Sequence, residues 1–587
     1  MKLKQESFFC SLSIYFCKWN TKSIKVLTGF LFLTHYTTYA QDLSQMKKSK
    51  PFTFSGALSV GSGMNLSSAG TNPYNQYAYN LNFSPLIKIY NVSLPFTFYI
   101  TNNSKGFNHP FNRVGVSPTW KWLKFHAGYR TLNVSPYIFS GRMVLGGGVE
   151  MNPGKFRFAF MGGQLSKSQS EDTLSIQPIA TAYERYGFGG KIGFGSTRSY
   201  FDLLFFKGKD VAQSITEPVK ARITPAENAA AGISFSIAFS KRLVWQTSAV
   251  LSVYTRDVNA TGYGDAFSEY TNTPVIGLNL SSQYLPAGET SLRYTGNKGS
   301  VIVKYRRIDP EFKTMGIFYM QTDLSEYSIL FNQSLFKSKL SLNGNVLYST
   351  DNVYRVRNTL TSRLNCGLNS NYRAGKSWLL STSVLYTHME QSFIRENIGD
   401  SLRMDLLNKM ASVGVTYTKD RSLATHVTSL MGSYNSFDNI NPHYLYDISS
   451  ANMNGTLSHK ITIKKNKLNF TEQVVMYSNK YGAYYTKSVS VGESVGKSFF
   501  KEQFNANVSV NYIYSILNAN TNKSSVNCRF GISYKPNKNN TFGLNGSIQN
   551  NIAMGNSVWF SSFNIRYTLN FNEIVSSKTA DKPNDVK

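Results

Sequence analysis

Ser561-Ser562-Phe563-Asn564-Ile565-Arg566-Tyr567-Thr568-Leu569-Asn570-Phe571 alternates, from Phe563 onward, large apolar residues with Asn, Arg, Thr and Asn. Successive side chains of a β-strand point to opposite faces, so this stretch has one greasy face and one wet one. A soluble sandwich would show the same alternation. Repetition separates the two cases. From about Lys50 to Asn572 the unit of alternating run, turn and alternating run recurs without a helical segment. Such a chain meets a different solvent on each face, lipid outside and water inside, and reads as a transmembrane antiparallel β-barrel.

Bulk composition agrees with a barrel and argues against several domains. The length of 587 residues would ordinarily suggest more than one domain, yet no linker-like stretch divides the chain. Hydrophobic content is 41% and mean hydropathy is −0.26, low for a membrane protein with helices but natural where only alternate residues meet lipid. Tyr (37) and Phe (40) are abundant, which suits strands and the aromatic girdles at the two interfaces. After residue 40 no apolar run reaches the roughly 18–20 residues of a spanning helix.

The N-terminus reads as an export signal. Lys22 and Lys25 precede the apolar run Val26–Thr34, and Thr38-Tyr39-Ala40 is a small-x-small cleavage site. Residues 1–21 form an extended n-region, or mark a start codon placed too far upstream. Cys10 and Cys17 leave with the signal. Cys366 and Cys528 remain on different strands and are expected to be free thiols.

The formal charge is +30, and removal of the five Lys and one Glu of residues 1–40 leaves +26. The basic residues are scattered and form no single patch, so nucleic acid is not the expected partner. Cationic loops facing lipopolysaccharide phosphates account for the charge, or a lumen that favours anions.

Turn chemistry sets the expected topology. Tight turns are expected at Ser117-Pro118, Asn152-Pro153-Gly154, Gly296–Gly299, Ala374-Gly375-Lys376 and Lys535–Asn540. Longer polar loops are expected at 166–184, 209–227, 257–273, 393–409 and 436–443. Short periplasmic turns alternating with longer outer loops give about 26 strands, within a range of 22–28. Four parts follow: a signal peptide at 1–40, a short periplasmic segment at 41–51, the barrel at 52–572 and a disordered tail at 573–587. The first strand, expected at Phe52–Met64, begins too soon after cleavage to leave room for a separate plug domain.

Residues Trp120–Gly163 are the most distinctive. The loop around Pro136 is apolar and aromatic, with Tyr137 and Phe139, and it either folds into the barrel or packs on its rim. Gly146-Gly147-Gly148 follows a strand, so it reads as a bend or a close backbone approach and not as a phosphate loop. Arg142 closes this loop. Lys155 and Arg157 alternate with Phe156, Phe158 and Phe160, which points both cations into the lumen, as Lys304 and Arg306 do beside Val303 and Tyr305. Asp309 and Glu311 follow at once. Opposed charges at one level would set a transverse field across a pore, or would neutralise one another locally.

Catalysis finds little support. His109, His126, His388, His426, His443 and His459 lie in no motif that fixes a nucleophile, and no pair has metal-ligand spacing. No cofactor is implied.

The signal, the alternating strands, the aromatic excess and Phe571 near the end resemble a Gram-negative outer-membrane β-barrel. More narrowly, GVSPTWKWLKFHAGYR, SPYIFSGRMVLGGGVEMNPGKFRF and VKYRRIDPEFKTMG resemble a large family of uncharacterised porin-like or secretion-associated barrels. The resemblance implies outer-membrane lipid, lipopolysaccharide and the barrel-assembly machinery as partners, with Phe571 as the terminal assembly signal. It carries no site residues. Three functions stay open: a large channel for solute or polypeptide, a non-conducting anchor for a secreted or surface protein, and, least supported, a rim hydrolase.

Overall fold

The computed structural model describes residues 52–575 except 69–76, 103–112, 171–180, 216–222, 263–274, 395–402, 444–448, 519–520 and 554–555. The signal and most of the tail lie outside the described residues. Strand segments are numbered in chain order. All 27 belong to one antiparallel sheet, and sequence neighbours pair throughout except for one collinear pair of short segments. The sheet closes on itself: β1 (Phe52–Ser67) pairs with β27 (Asn556–Val575), from Thr53↔Val575 to Ser67↔Phe560, with a bulge between Phe54 and Gly56. The last strand thus runs past the expected boundary at Asn572, and Phe571 is not its final residue.

Two segments share one stave. β4 (Arg113–Val116) and β5 (Thr119–Trp120) lie in line between β3 (Val92–Thr101) and β6 (Leu123–Thr131). The result is a closed barrel of 26 staves. Ser117-Pro118 is therefore a break within a stave, and the chain reverses at residues 121–122 instead. Pro118 has no N–H to give to the ladder, whereas the Ser117 N–H still donates to the Pro95 carbonyl at 3.1 Å.

Following the pairing register around the wall identifies the outer face on every stave. Leu58 stands opposite Leu569, Val60 opposite Tyr567, and Leu544 opposite Ile565. Near the short-turn end an aromatic ladder crosses five strands. Ring centroids run Phe499–Phe504 at 5.8 Å, Phe504–Tyr534 at 6.4 Å, Tyr534–Phe542 at 6.4 Å and Phe542–Tyr567 at 4.7 Å. This is an interfacial girdle. Midway along the wall the outer face carries two like charges side by side: Glu472 of β22 (Leu468–Tyr481) pairs with Glu493 of β23 (Tyr484–Phe499), between Phe470↔Val495 and Val474↔Val491. Cys366 and Cys528 are free, on strands that do not touch, and both share the outer face.

The two ends differ. At one end, up to the start of β26 (Asn540–Ala553), the reversals span two to five residues, as at 90–91, 121–122, 152–155 and 535–539. At the other end the connections are long through the first ten, as at 132–142, 167–184, 256–281 and 309–323, and short in the last three. Short turns mark the periplasmic side and long loops the exterior. The expected loops at 393–409 and 436–443 are shifted, because β19 (Asp405–Asp420) begins and β20 (Ala424–Asn439) ends inside them. Among the described residues no helix is long and apolar enough to cross a membrane; the crossing is made by strands. A closed, girdled barrel of this kind satisfies its backbone internally and belongs to the Gram-negative outer membrane.

The inner face is divided. From β17 (Thr359–Ala374) to β27 it carries Asn, Ser, Thr and Gln, for example Asn505, Asn507, Ser509 and Asn511 on β24 (Phe504–Leu517). The buried apolar cluster lies almost wholly on the other side, between Leu132 and Met315.

Candidate functional site

Two outer loops fold inward onto the apolar half of the wall. In the first, residues 132–142, Phe139 returns to Ser135 and Val134, where the Val134 N–H donates to the Phe139 carbonyl at 2.8 Å. Pro136 is exposed at the bend, and Tyr137, Ile138 and Phe139 are buried at 2%, 0% and 0% exposure. Burial of three such side chains contributes on the order of 5–8 kcal/mol of apolar transfer. The Ser135 hydroxyl meets that of Ser248 at 3.2 Å, and the Tyr137 hydroxyl donates to Glu289 at 2.8 Å.

The second loop, residues 309–323, lies against the first. Ile317 bridges to Ser140 and Gly141. The Met315 N–H donates to the Asn228 side chain at 3.0 Å, and the Ser252 hydroxyl to the Lys313 carbonyl at 2.7 Å. Glycines make room for both. A Cβ on Gly208 would sit 3.1 Å from Met315, and one on Gly189 would sit 3.2 Å from the Phe139 ring. These two belong to β10 (Tyr200–Asp210) and β9 (Arg185–Gly195). A side chain at either position would lift the loops off the wall. Gly146 similarly lets β7 (Met143–Met151) approach the backbone of Gly162 and Gly163 on β8 (Phe156–Ser166).

The wall beside these loops carries a ladder of local ion pairs. Arg157 reaches Asp202 through Nε at 2.7 Å and Nη2 at 2.9 Å, and Lys191 reaches the same carboxylate at 3.0 Å. Lys304 pairs with Glu289 at 2.5 Å and Arg306 with Glu326 at 2.7 Å. Lys207 pairs with Glu227. Each of these cations has its partner on an adjacent strand, except Arg157, which reaches across β9 to Asp202 on β10; the pairing is local neutralisation and not a field across the lumen.

Two sequence expectations are corrected here. Lys155 lies in the turn 152–155 before β8 begins, and its ammonium sits 6.0 Å from the outward-facing Phe194 ring. Asp309 and Glu311 do not oppose Lys304 and Arg306, because β14 (Gly299–Ile308) has already ended. Asp309 is instead taken by Arg307 at 3.2 Å and by the Tyr354 hydroxyl, while Glu311 is taken by Arg256. The Tyr354 phenol is pushed above its ordinary pKa by that hydrogen bond to Asp309.

Behind the in-folded loops a cavity of about 770 Å³ opens, lined by Arg142, Arg185, Asp210, Arg256, Glu311 and Lys313 among others. Arg142 is buried, and burial followed by the nearby Arg185 charge pushes its pKa down to about 10. Of this cavity the sequence singled out only Arg142 and Glu311, because Asp210, Arg185 and Lys313 are brought to them only by barrel closure and loop folding.

His126 stands apart from it, with Nδ1 3.0 Å from the Ser117 hydroxyl and Nε2 2.8 Å from Glu150. The line-up resembles a serine–histidine–carboxylate relay. Ser117 and His126 are both buried, Lys124 also holds Glu150 at 2.8 Å, and the Ser117 N–H is spent on Pro95. The group therefore ties β6 and β7 to the broken stave and offers no exposed nucleophile. His388 pairs with Asp405 at 2.6 Å, and His426 and His459 face each other at 3.5 Å. Among the described residues no three ligating side chains gather as a metal site. His109 lies outside the described residues.

No family model matches the chain, and no curated protein matches it. Among solved structures it is similar to the P pilus usher (PapC) translocation pore, with a TM-score of 0.40 and 10% identity over 89% of this chain and 99% of that one. It is also similar to Pseudomonas aeruginosa OccK8 (OprE), at 0.29 and 10% over 59% and 93%. A bacterial polysaccharide outer membrane secretin matches at 0.27 and 10% over 51% and 94%. Likeness at this level assigns no substrate.

Proposed function

We propose that this protein is a large outer-membrane channel whose lumen is narrowed on one side by the loops at 132–142 and 309–323. The observation that supports this is the inner wall from β17 to β27. Its Asn, Ser and Thr side chains are half-exposed, and amides and hydroxyls in that number are stable only against water. Geometry adds to it. A barrel of 26 staves is about 50 Å across between backbones, from a strand spacing of ~4.8 Å and a tilt of ~40°. Side chains alone do not fill such a width, and the two loops cover one wall of it.

In this reading Tyr137 and Phe139 form the constriction, and the paired cations Arg157, Lys304 and Arg306 hold the wall in place beneath it. Planar-bilayer recording of the purified protein tests the proposal: stepwise conductance is expected. Silence at every voltage would remove the channel and leave a barrel that anchors a secreted or surface protein. Such an anchor should return a stoichiometric partner on pull-down from solubilised outer membranes. Liposome swelling with sugars of increasing size separates a solute channel, which cuts off sharply, from a polypeptide pore, which admits them all.

A further inference from the structure

The cavity behind the in-folded loops holds more positive charge than its own carboxylates cover. Asp210 is spent on Arg185, which grips it through Nε at 2.6 Å and Nη2 at 3.0 Å, and the Ala226 N–H adds a third bond at 3.1 Å. Glu311 is spent on Arg256. Arg142 and Lys313 remain, and among the described residues neither is given a carboxylate. Lys313 lies over the Tyr254 ring, 4.8 Å from its centroid. Arg142 is only 7% exposed; its Nη2 donates to the Leu165 carbonyl at 3.1 Å, and its Nε has no acceptor among the described residues. Thr181, on the same cavity wall, also holds a buried hydroxyl with no partner among the described residues.

A buried charged donor left without an acceptor is costly, and native structures normally supply a partner for it. The missing partner here is an acceptor that carries charge, since two cations face one cavity without compensation from the described residues. A guanidinium fork fits carboxylate and phosphate oxygens alike. The remaining lining is of two kinds. Ser166, Thr224 and Gln283 offer hydrogen bonds, while Tyr254 and Phe312 offer ring faces. That combination suits a compact hydroxylated body, and a volume of about 770 Å³ is in the range of small-molecule sites.

We propose that this cavity is a binding subsite for a sugar-sized hydroxylated solute carrying one oxyanion, held at the anion by Arg142 and Lys313. The proposal deepens the channel reading and rests on solutes entering the lumen. Either a carboxylate or a phosphate supplies the required chemistry, and the probes below distinguish them.

The test is isothermal titration of the full-length protein in detergent with gluconate, with glucose 6-phosphate and with glucose. Saturable binding of one or both anions is expected, with glucose at least tenfold weaker. Arg142→Gln and Lys313→Gln should each weaken the anion at least tenfold, while Arg363→Gln on β17 should leave it unchanged. Heat-modifiable gel mobility reports whether each variant is a folded barrel; if Arg142→Gln is not, Lys313→Gln decides. Binding of gluconate alone assigns a carboxylate, and of glucose 6-phosphate alone a phosphate. The subsite is overturned if neither anion saturates, if glucose binds equally, or if the folded variants bind as the parent does. Current in bilayers without anion binding would sink the subsite and spare the channel. Anion binding without current would do the reverse.

Discussion

The Tyr137 hydroxyl donates to the Glu289 carboxylate at 2.8 Å, joining the tip of an outer loop to a strand 152 positions further along the chain. Glu289 lies on β13 (Ser282–Thr295) and also takes the Lys304 ammonium, so the loop is tied to an ion pair that the wall already owns. Burial, and then the adjacent carboxylate, raises the phenol pKa, so the proton stays on Tyr137 and the bond keeps its direction.

Tyr137→Ala removes both the ring and the bond. Loss of a fully buried aromatic costs about 3–5 kcal/mol where the site cannot collapse. That cost falls on the seating of the loop, because the wall strands keep their own ladders. We expect a larger single-channel conductance with more open-state noise, and little change in the barrel's resistance to heat. Conductance equal to the parent would mean that this loop does not limit flow.

Asp202 is the shared partner of Arg157 and Lys191 and is itself buried. Asp202→Asn leaves two cations on the lumen wall without a carboxylate. Both are about a fifth exposed, so the penalty is less than that of a dry pair, about 1–3 kcal/mol. Reversal potentials in a salt gradient should move toward anions. An unchanged potential would place this pair away from the permeation path.

How much of this was legible in the sequence depends on the range of the interaction. Phe563 to Phe571 announced their faces through period-two alternation alone, and barrel closure followed from repetition. Ser117-Pro118 misled because proline marks both turns and broken ladders, and only the partner Pro95, 22 positions earlier, tells them apart. Lys155 misled by one residue, since alternation continues on paper through a turn that the backbone does not extend. The loop at Tyr137 was visible as an apolar stretch, but its seat at Gly189, Ser248 and Glu289 comes from three distant strands. Glu493 was visible and passed over: Val489, Val491, Glu493 and Val495 share one face.

Glu493 and Glu472 face acyl chains and each other, which opposes charge to charge in the least polar part of the surroundings. Glu493→Val should therefore stabilise the barrel, raising the urea midpoint of unfolding from liposomes. A lower midpoint would show that the carboxylate has a favourable partner in the membrane.

Cys366 and Cys528 supply an unmodified probe of the same face, since each lies in register with outward residues such as Val346 and Ile548. In proteoliposomes an apolar maleimide should label both thiols and a charged methanethiosulfonate neither. Labelling by the charged reagent would put them in water.

Asn564 and Ile565 are adjacent in the chain and on opposite sides of the wall, so one pair of substitutions compares the two solvents directly. Ile565 is 61% exposed, and what it is exposed to decides the cost of a charge there. Against lipid near the midplane, Ile565→Arg costs about 2–4 kcal/mol. Asn564→Arg projects the same group into the lumen, beside Asn545 on β26, where water solvates it and the cost is close to zero. Unfolding from liposomes should therefore show a lowered midpoint for Ile565→Arg and a parental one for Asn564→Arg. If the two variants unfold alike, both faces meet the same solvent, and the closed barrel with acyl chains outside and water within is wrong.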